Sequence, residues 1–104
     1  MKTTVVNCQK SEYDVYIGRP SKWGNPFKIG RDGNRDEVCV MHWNWLVGKL
    51  PAPDGRKPPT FDEMQNELTG KRLGCYCAPL RCHGDNYVLI CNNGEIPKTK
   101  QMEI

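Results

Sequence analysis

Leu73-Gly74-Cys75-Tyr76-Cys77-Ala78-Pro79-Leu80-Arg81-Cys82-His83-Gly84-Asp85 decides how the rest of the chain is read. It holds three of the six cysteines and one of the two histidines. Residues 72–77 suit a short strand, in which alternation puts Cys75 and Cys77 on one face. Pro79 stops that strand, and the chain turns through Leu80 and Arg81. A helix is expected to start between Cys82 and Asp85 and to run through Tyr87, Val88, Leu89, Ile90 and Cys91 to Gly94. A strand, a tight turn and a helix start gather reactive side chains and unpaired backbone N–H donors in one place. The best candidate site lies here.

Upstream, residues 3–8 carry Val5 and Val6 and suit a first strand. Tyr13-Asp14-Val15-Tyr16-Ile17 alternates apolar with polar residues and suits a second, closed by Gly18. A loop follows over 19–27, then a short extended piece over 27–29 and a turn at Asp32-Gly33. Asn34 with Glu37 three residues later forms a capping box, and Val38, Met41, Trp45 and Leu46 give a helical stripe reaching Gly48. Pro51, Pro53, Pro58 and Pro59 make the next segment an extended connection. Thr60 with Glu63 is a second capping box; Phe61, Met64 and Leu68 share a face, and Gly70 supplies the left-handed stop. The predicted order is β-β-α-α-β-α. It implies a small α/β domain over residues 1–94, with a single-layer sheet of about three to four strands flanked by helices. A loosely held tail is expected over 95–104.

The chain has 104 residues, enough for one core. With 38% apolar and 26% charged residues it reads as an ordinary water-soluble domain, slightly poor in core material. Net charge of +3 is too small for a typical nucleic-acid binder, so nucleic acid is not an expected partner. Residues 1–7 contain no apolar run long enough for a signal peptide, and no stretch approaches a membrane span. A cytoplasmic protein with reduced thiols and no membrane partner is expected. Its cysteines are then candidates for metal, catalysis or burial.

Two loops carry the chemistry. A cysteine at a helix start has its thiolate stabilised by the backbone dipoles, which makes Cys82 the candidate nucleophile. His83 would hold a proton, and Asp85 would orient an imidazole or a substrate hydroxyl. Adjacent helical residues do not face each other, so the alternative has Cys82 packing as a small apolar residue and His83 capping the turn. In the other loop Arg19 and Lys22 offer charge, Ser21 a hydroxyl, and Gly24 and Asn25 backbone donors, which together suit a phosphate or carboxylate. Trp23 offers a flat face to a base or sugar ring; the alternative is a rigid turn with Trp23 plugging the core. His42, Trp43 and Trp45 have helical spacing and read as packing.

A metal is the rival reading. Cys75, Cys77, Cys82 and His83 make an acceptable tetrahedral set for zinc, although four ligands within nine residues leave little chain to wrap the ion. No other cofactor is indicated. Cys75 and Arg81 also have the spacing of the cysteine-phosphatase loop, but Pro79 removes a donor that a phosphate ring of N–H groups requires.

The phrases Tyr13-Asp14-Val15-Tyr16-Ile17-Gly18-Arg19-Pro20-Ser21-Lys22-Trp23-Gly24-Asn25-Pro26-Phe27 and Gly70-Lys71-Arg72-Leu73-Gly74-Cys75-Tyr76-Cys77-Ala78-Pro79-Leu80-Arg81-Cys82-His83-Gly84-Asp85 together resemble a family of small phage and bacterial proteins, the domain of unknown function numbered 4326. The resemblance runs from Val5 to about Asn92, and residues 49–59 look like an insertion into it. It strengthens the choice of site and implies no particular reaction. If the second and third strands are parallel neighbours, the loops over 19–27 and 78–85 meet. They would then bind a small nucleotide-like or phosphorylated ligand, with or without turnover. The alternative is a zinc-stabilised Cys/His module contacting protein or nucleic acid.

Overall fold

Three short strands, β1 (Thr4–Asn7), β2 (Val15–Tyr16) and β3 (Arg72–Cys75), lie in the order β1-β3-β2. Both pairings are parallel, with Thr4 opposite Arg72 on one side of β3 and Val15 opposite Leu73 on the other. A parallel sheet is covered on both faces, and the central strand shows it: Leu73 and Cys75 on one face and Gly74 on the other are all buried. Three helices, α1 (Arg35–Leu46), α2 (Phe61–Leu68) and α3 (Gly84–Asn93), complete the order β-β-α-α-β-α of a small α/β fold. The structure is a computed structural model that describes residues 2–94; the tail expected over 95–104 lies outside the described residues. No helix among the described residues is long and apolar enough to cross a membrane.

Both capping boxes form. Asn34 accepts from the Glu37 N–H and Glu37 returns the bond to the Asn34 N–H, each at 2.9 Å. Thr60 and Glu63 repeat the exchange at the start of α2. Each satisfies two orphan donors, and such a cap contributes about 1 kcal/mol. The third helix ends on Gly94, whose φ of 75° a side-chain-bearing residue would hold only under strain.

Several boundaries differ from expectation. The second strand is only Val15–Tyr16, and β3 stops at Cys75, two residues early. Beyond those points the chain leaves the ladder for turns: Ser21 donates its N–H to Gly18 and Leu80 to Cys77. The piece expected over 27–29 shrinks to a single bridge between Ile29 and Gly33. The first helix carries no simple stripe. Its second half is buried on all sides, Trp43 and Trp45 included, whereas Met41 is only half-buried. Residues 49–59 help to cover it: Trp45 Nε1 donates to the Arg56 carbonyl, and the Arg56 guanidinium stacks 5.3 Å from the Trp45 ring.

At the amino end of the sheet, Thr3 and Asn92 exchange two hydrogen bonds, N–H to Oδ1 at 2.9 Å and Nδ2 to carbonyl at 3.1 Å. The Thr3 hydroxyl also bonds the Leu68 carbonyl and the Gly70 N–H. At the carboxyl end α3 begins so close to the strands that a Cβ on Gly84 would lie 2.7 Å from Ile17 Cδ1 and 3.0 Å from Val5. Only glycine permits that approach.

Candidate functional site

Because β2 and β3 are parallel neighbours, with Tyr16 opposite Gly74, the loops that leave their carboxyl ends emerge side by side. The join is direct. His83 Nε2 lies 2.8 Å from the Ile17 carbonyl, which can only accept, so this nitrogen carries the proton. A cleft of about 310 Å³ opens at the junction, and Arg19, Arg35, Arg81, Tyr76, Cys75 and His83 are on its walls. Arg19 and His83, sixty-four positions apart in the chain, therefore share one cavity.

The first loop divides its residues. Arg19 and Asn25 line the cleft; Ser21, Lys22, Trp23 and Gly24 do not. The Ser21 hydroxyl bonds the Gly18 carbonyl, and the Gly24 N–H bonds the Ser21 carbonyl, so both close the turn. Lys22 reaches Glu63 at 2.9 Å and Glu67 at 2.8 Å on α2, and Glu67 leads in raising its pKa. Trp23 is 4% exposed and packs edge-on against Tyr87 at 5.6 Å. The expected stacking face is thus core, because burying an indole against α3 stabilises more than leaving it in solvent. Asn25 is buried and holds the loop to α1, donating to the Val38 carbonyl and accepting from the Phe27 N–H.

The second loop holds a thiol pair. Cys75 Sγ and Cys82 Sγ are 3.1 Å apart, and both residues are buried beneath the cleft. The two thiols share one hydrogen bond; the Cys75 sulfur also receives the Ala78 and Cys77 N–H groups and the Cys82 sulfur the Gly84 N–H, and the shared bond leads in holding Cys75 below the ordinary thiol range. The same Cys75 contact, reinforced by burial, pushes Cys82 up. Cys82, the expected nucleophile, is therefore one half of a buried thiol pair, in which the lowered pKa falls on Cys75. Asp85 does not line the cleft, and its carboxylate accepts from the Cys82 N–H at 3.2 Å as a cap of the helix start. Burial lowers the His83 pKa, and the Arg19 charge acts in the same direction. No phosphate ring forms either, since Pro79 has no N–H and the Leu80 N–H turns back to Cys77.

Behind the cleft runs a relay of buried polar groups. The Asn86 amide donates to the Cys39 carbonyl at 2.9 Å and to His42 Nδ1 at 3.0 Å. His42 must then carry its proton on Nε2, which donates to the Tyr87 hydroxyl, and that hydroxyl donates to the Trp23 carbonyl at 2.9 Å. Burial drives the His42 pKa well below its usual value, so the ring is neutral. The expectation that His42, Trp43 and Trp45 pack in the interior agrees with their burial. Among the described residues no group of three or more His, Cys, Asp or Glu side chains is arranged to hold a metal ion, and Cys75, Cys77, Cys82 and His83 do not assemble into a ligand set.

Sequence reasoning missed Arg35 and Tyr76, and weighed Arg81 only for the phosphatase spacing it set aside. Arg35 sits in the first turn of α1 and donates to the Arg81 carbonyl, so helix and loop brace each other across the cleft. Arg81 pairs with Asp36 at 3.3 Å. Tyr76 is 59% exposed on the cleft wall, its ring edge-on to Tyr16 at 6.1 Å. For Tyr76 the available signal was position, the first residue past a strand's carboxyl end.

Comparison with known proteins adds one relative and one family. An uncharacterized 12.4 kDa protein from the nrdA-td intergenic region of Enterobacteria phage T4 is 35% identical over 89 residues, spanning 85% of this chain and 76% of that protein. No solved structure matches at a significant level. The family match covers residues 2–93, and the chain belongs to the family described as a domain of unknown function, DUF4326.

Proposed function

We propose that the cleft binds a small phosphorylated ligand carrying a flat ring, of the nucleotide kind. The observation that carries this reading is the convergence of three arginines, Arg19, Arg35 and Arg81, with the exposed ring of Tyr76 on one cavity of about 310 Å³. Among the described residues Arg19 and Arg35 make no ion pair with a carboxylate, so their charge is available to an anion. Tyr76, not Trp23, supplies the ring face. The cavity volume suits a small molecule and is too small for a folded partner.

Thermal denaturation with AMP, ADP, ADP-ribose and ribose 5-phosphate tests the reading. Nucleotides are expected to raise the melting temperature more than the sugar phosphate does. Affinity should fall about 10- to 100-fold in Arg19→Ala, the loss expected for one charge-assisted contact. Tyr76→Ala should erase the advantage of nucleotides, while Lys22→Ala should bind like the wild type. No stabilisation by any of these compounds, or equal loss in Lys22→Ala and Arg19→Ala, overturns the assignment.

A further inference from the structure

We infer that Cys75 and Cys82 form a peroxide-reactive dithiol, a modification site closed by a reversible disulfide. The inference stands apart from the ligand reading and needs no occupant in the cleft. It rests on the two sulfurs lying 3.1 Å apart, on both residues lining the cleft, and on the backbone N–H groups aimed at them, two at Cys75 and one at Cys82. Bond formation needs a further approach of about 1 Å. Adjacent thiols are not equivalent when one receives more N–H donors than the other, and that asymmetry separates an attacking sulfur from a resolving one.

The reaction balances with a hydroperoxide as oxidant. The Cys75 thiolate attacks one peroxide oxygen; an S–O bond forms, the O–O bond breaks, and hydroxide leaves from hydrogen peroxide. Cys75 is then a sulfenic acid. The Cys82 sulfur attacks the Cys75 sulfur, the S–S bond forms, the S–O bond breaks, and the departing hydroxide takes the Cys82 proton as water. Two electrons pass from the sulfurs to the peroxide. A small dithiol reductant reverses the change by exchange.

The other thiols serve as internal controls. Cys39 also lines the cleft, but burial pushes its thiol up to about 11, so it is expected to stay protonated and unreactive. Cys91 is buried, with its thiol donating to the Met64 carbonyl at 3.7 Å and its pKa raised by burial. Cys8 and Cys77 are half-buried, and neither contacts a second sulfur among the described residues.

Hydrogen peroxide titration of the intact chain, followed by tryptic mapping under non-reducing conditions, tests the site. Cleavage after Arg81 places Cys75 and Cys82 on separate peptides, so the expected product is a crosslink between the peptide beginning at Leu73 and the one beginning at Cys82. The first peptide also holds Cys77 and the second Cys91, so fragmentation of the linked peptides and the variants below assign the bonded pair. In Cys82→Ser the crosslink should be absent and a dimedone-type reagent should label Cys75; in Cys77→Ser the crosslink should persist. Iodoacetamide should modify Cys75 at least about tenfold faster than Cys39 at neutral pH. A crosslink through Cys77 or Cys8, a crosslink only between molecules, or no loss of thiols under peroxide overturns the proposal.

Discussion

The segments over 18–27 and 76–83 leave adjacent parallel strands at the same end of the sheet, yet they use their polar groups in opposite ways. In the first, much of the polar surface is turned to structural use: Lys22 clasps α2, Trp23 is core, and of the polar side chains only Arg19 and Asn25 reach the cleft. The second, poorer in charge, presents Tyr76, Cys77, Arg81, Cys82 and His83 to the cleft together. Composition states which groups a loop owns. Partners elsewhere in the chain decide which way they face.

The sharpest way to break this contrast is Trp23→Ala. If Trp23 is core, the substitution costs about 3–5 kcal/mol in urea unfolding, the range for emptying a large aromatic site, and strips the Tyr87 ring of its edge contact. A midpoint near that of the wild type would return Trp23 to the ligand side.

A smaller effect comes from pH. His42 and His83 are both held neutral by burial, so the unfolded chain takes up protons below pH ~6.5 that the native state refuses. Stability should be level above neutrality and fall on acidification, by about 1.4 kcal/mol per pH unit from His42, with His83 adding in the same direction. Asp14, lowered to about 2 by its hydrogen bonds to Arg72, contributes stability that is lost only below pH ~4, outside this window. Urea midpoints that do not change between pH 7.5 and 5.5 would remove the buried relay from the account.

Lys22→Ala should show the least change. Its two ion pairs are largely exposed, and surface pairs of this kind contribute little. The midpoint should stay within error of the wild type, and a clear drop would make the α2 clasp a principal support of the first loop.

The fold was legible because its signals are local. Asn34 with Glu37, Thr60 with Glu63, and Gly94 announce helix ends within a few residues of themselves. The site was only half legible for the opposite reason. Nothing near Lys22 reveals that Glu63 and Glu67, more than forty positions on, will claim it. Nothing in the spacing from Cys75 to Cys82 tells how the backbone N–H groups divide between the two sulfurs, because that depends on how residues 76–84 turn. The all-round burial of α1 escaped notice too, since Arg56 and the loop at Asn25 cover it from outside the helix.

The reciprocal bonds between Thr3 and Asn92 place the two extremities of the described chain against one another, at the base of a molecule whose opening is at the top. A short link drawn between these two positions would cross the floor and leave the mouth unobstructed. A rearranged chain, spliced there and cut in an exposed turn elsewhere, would keep the same cavity.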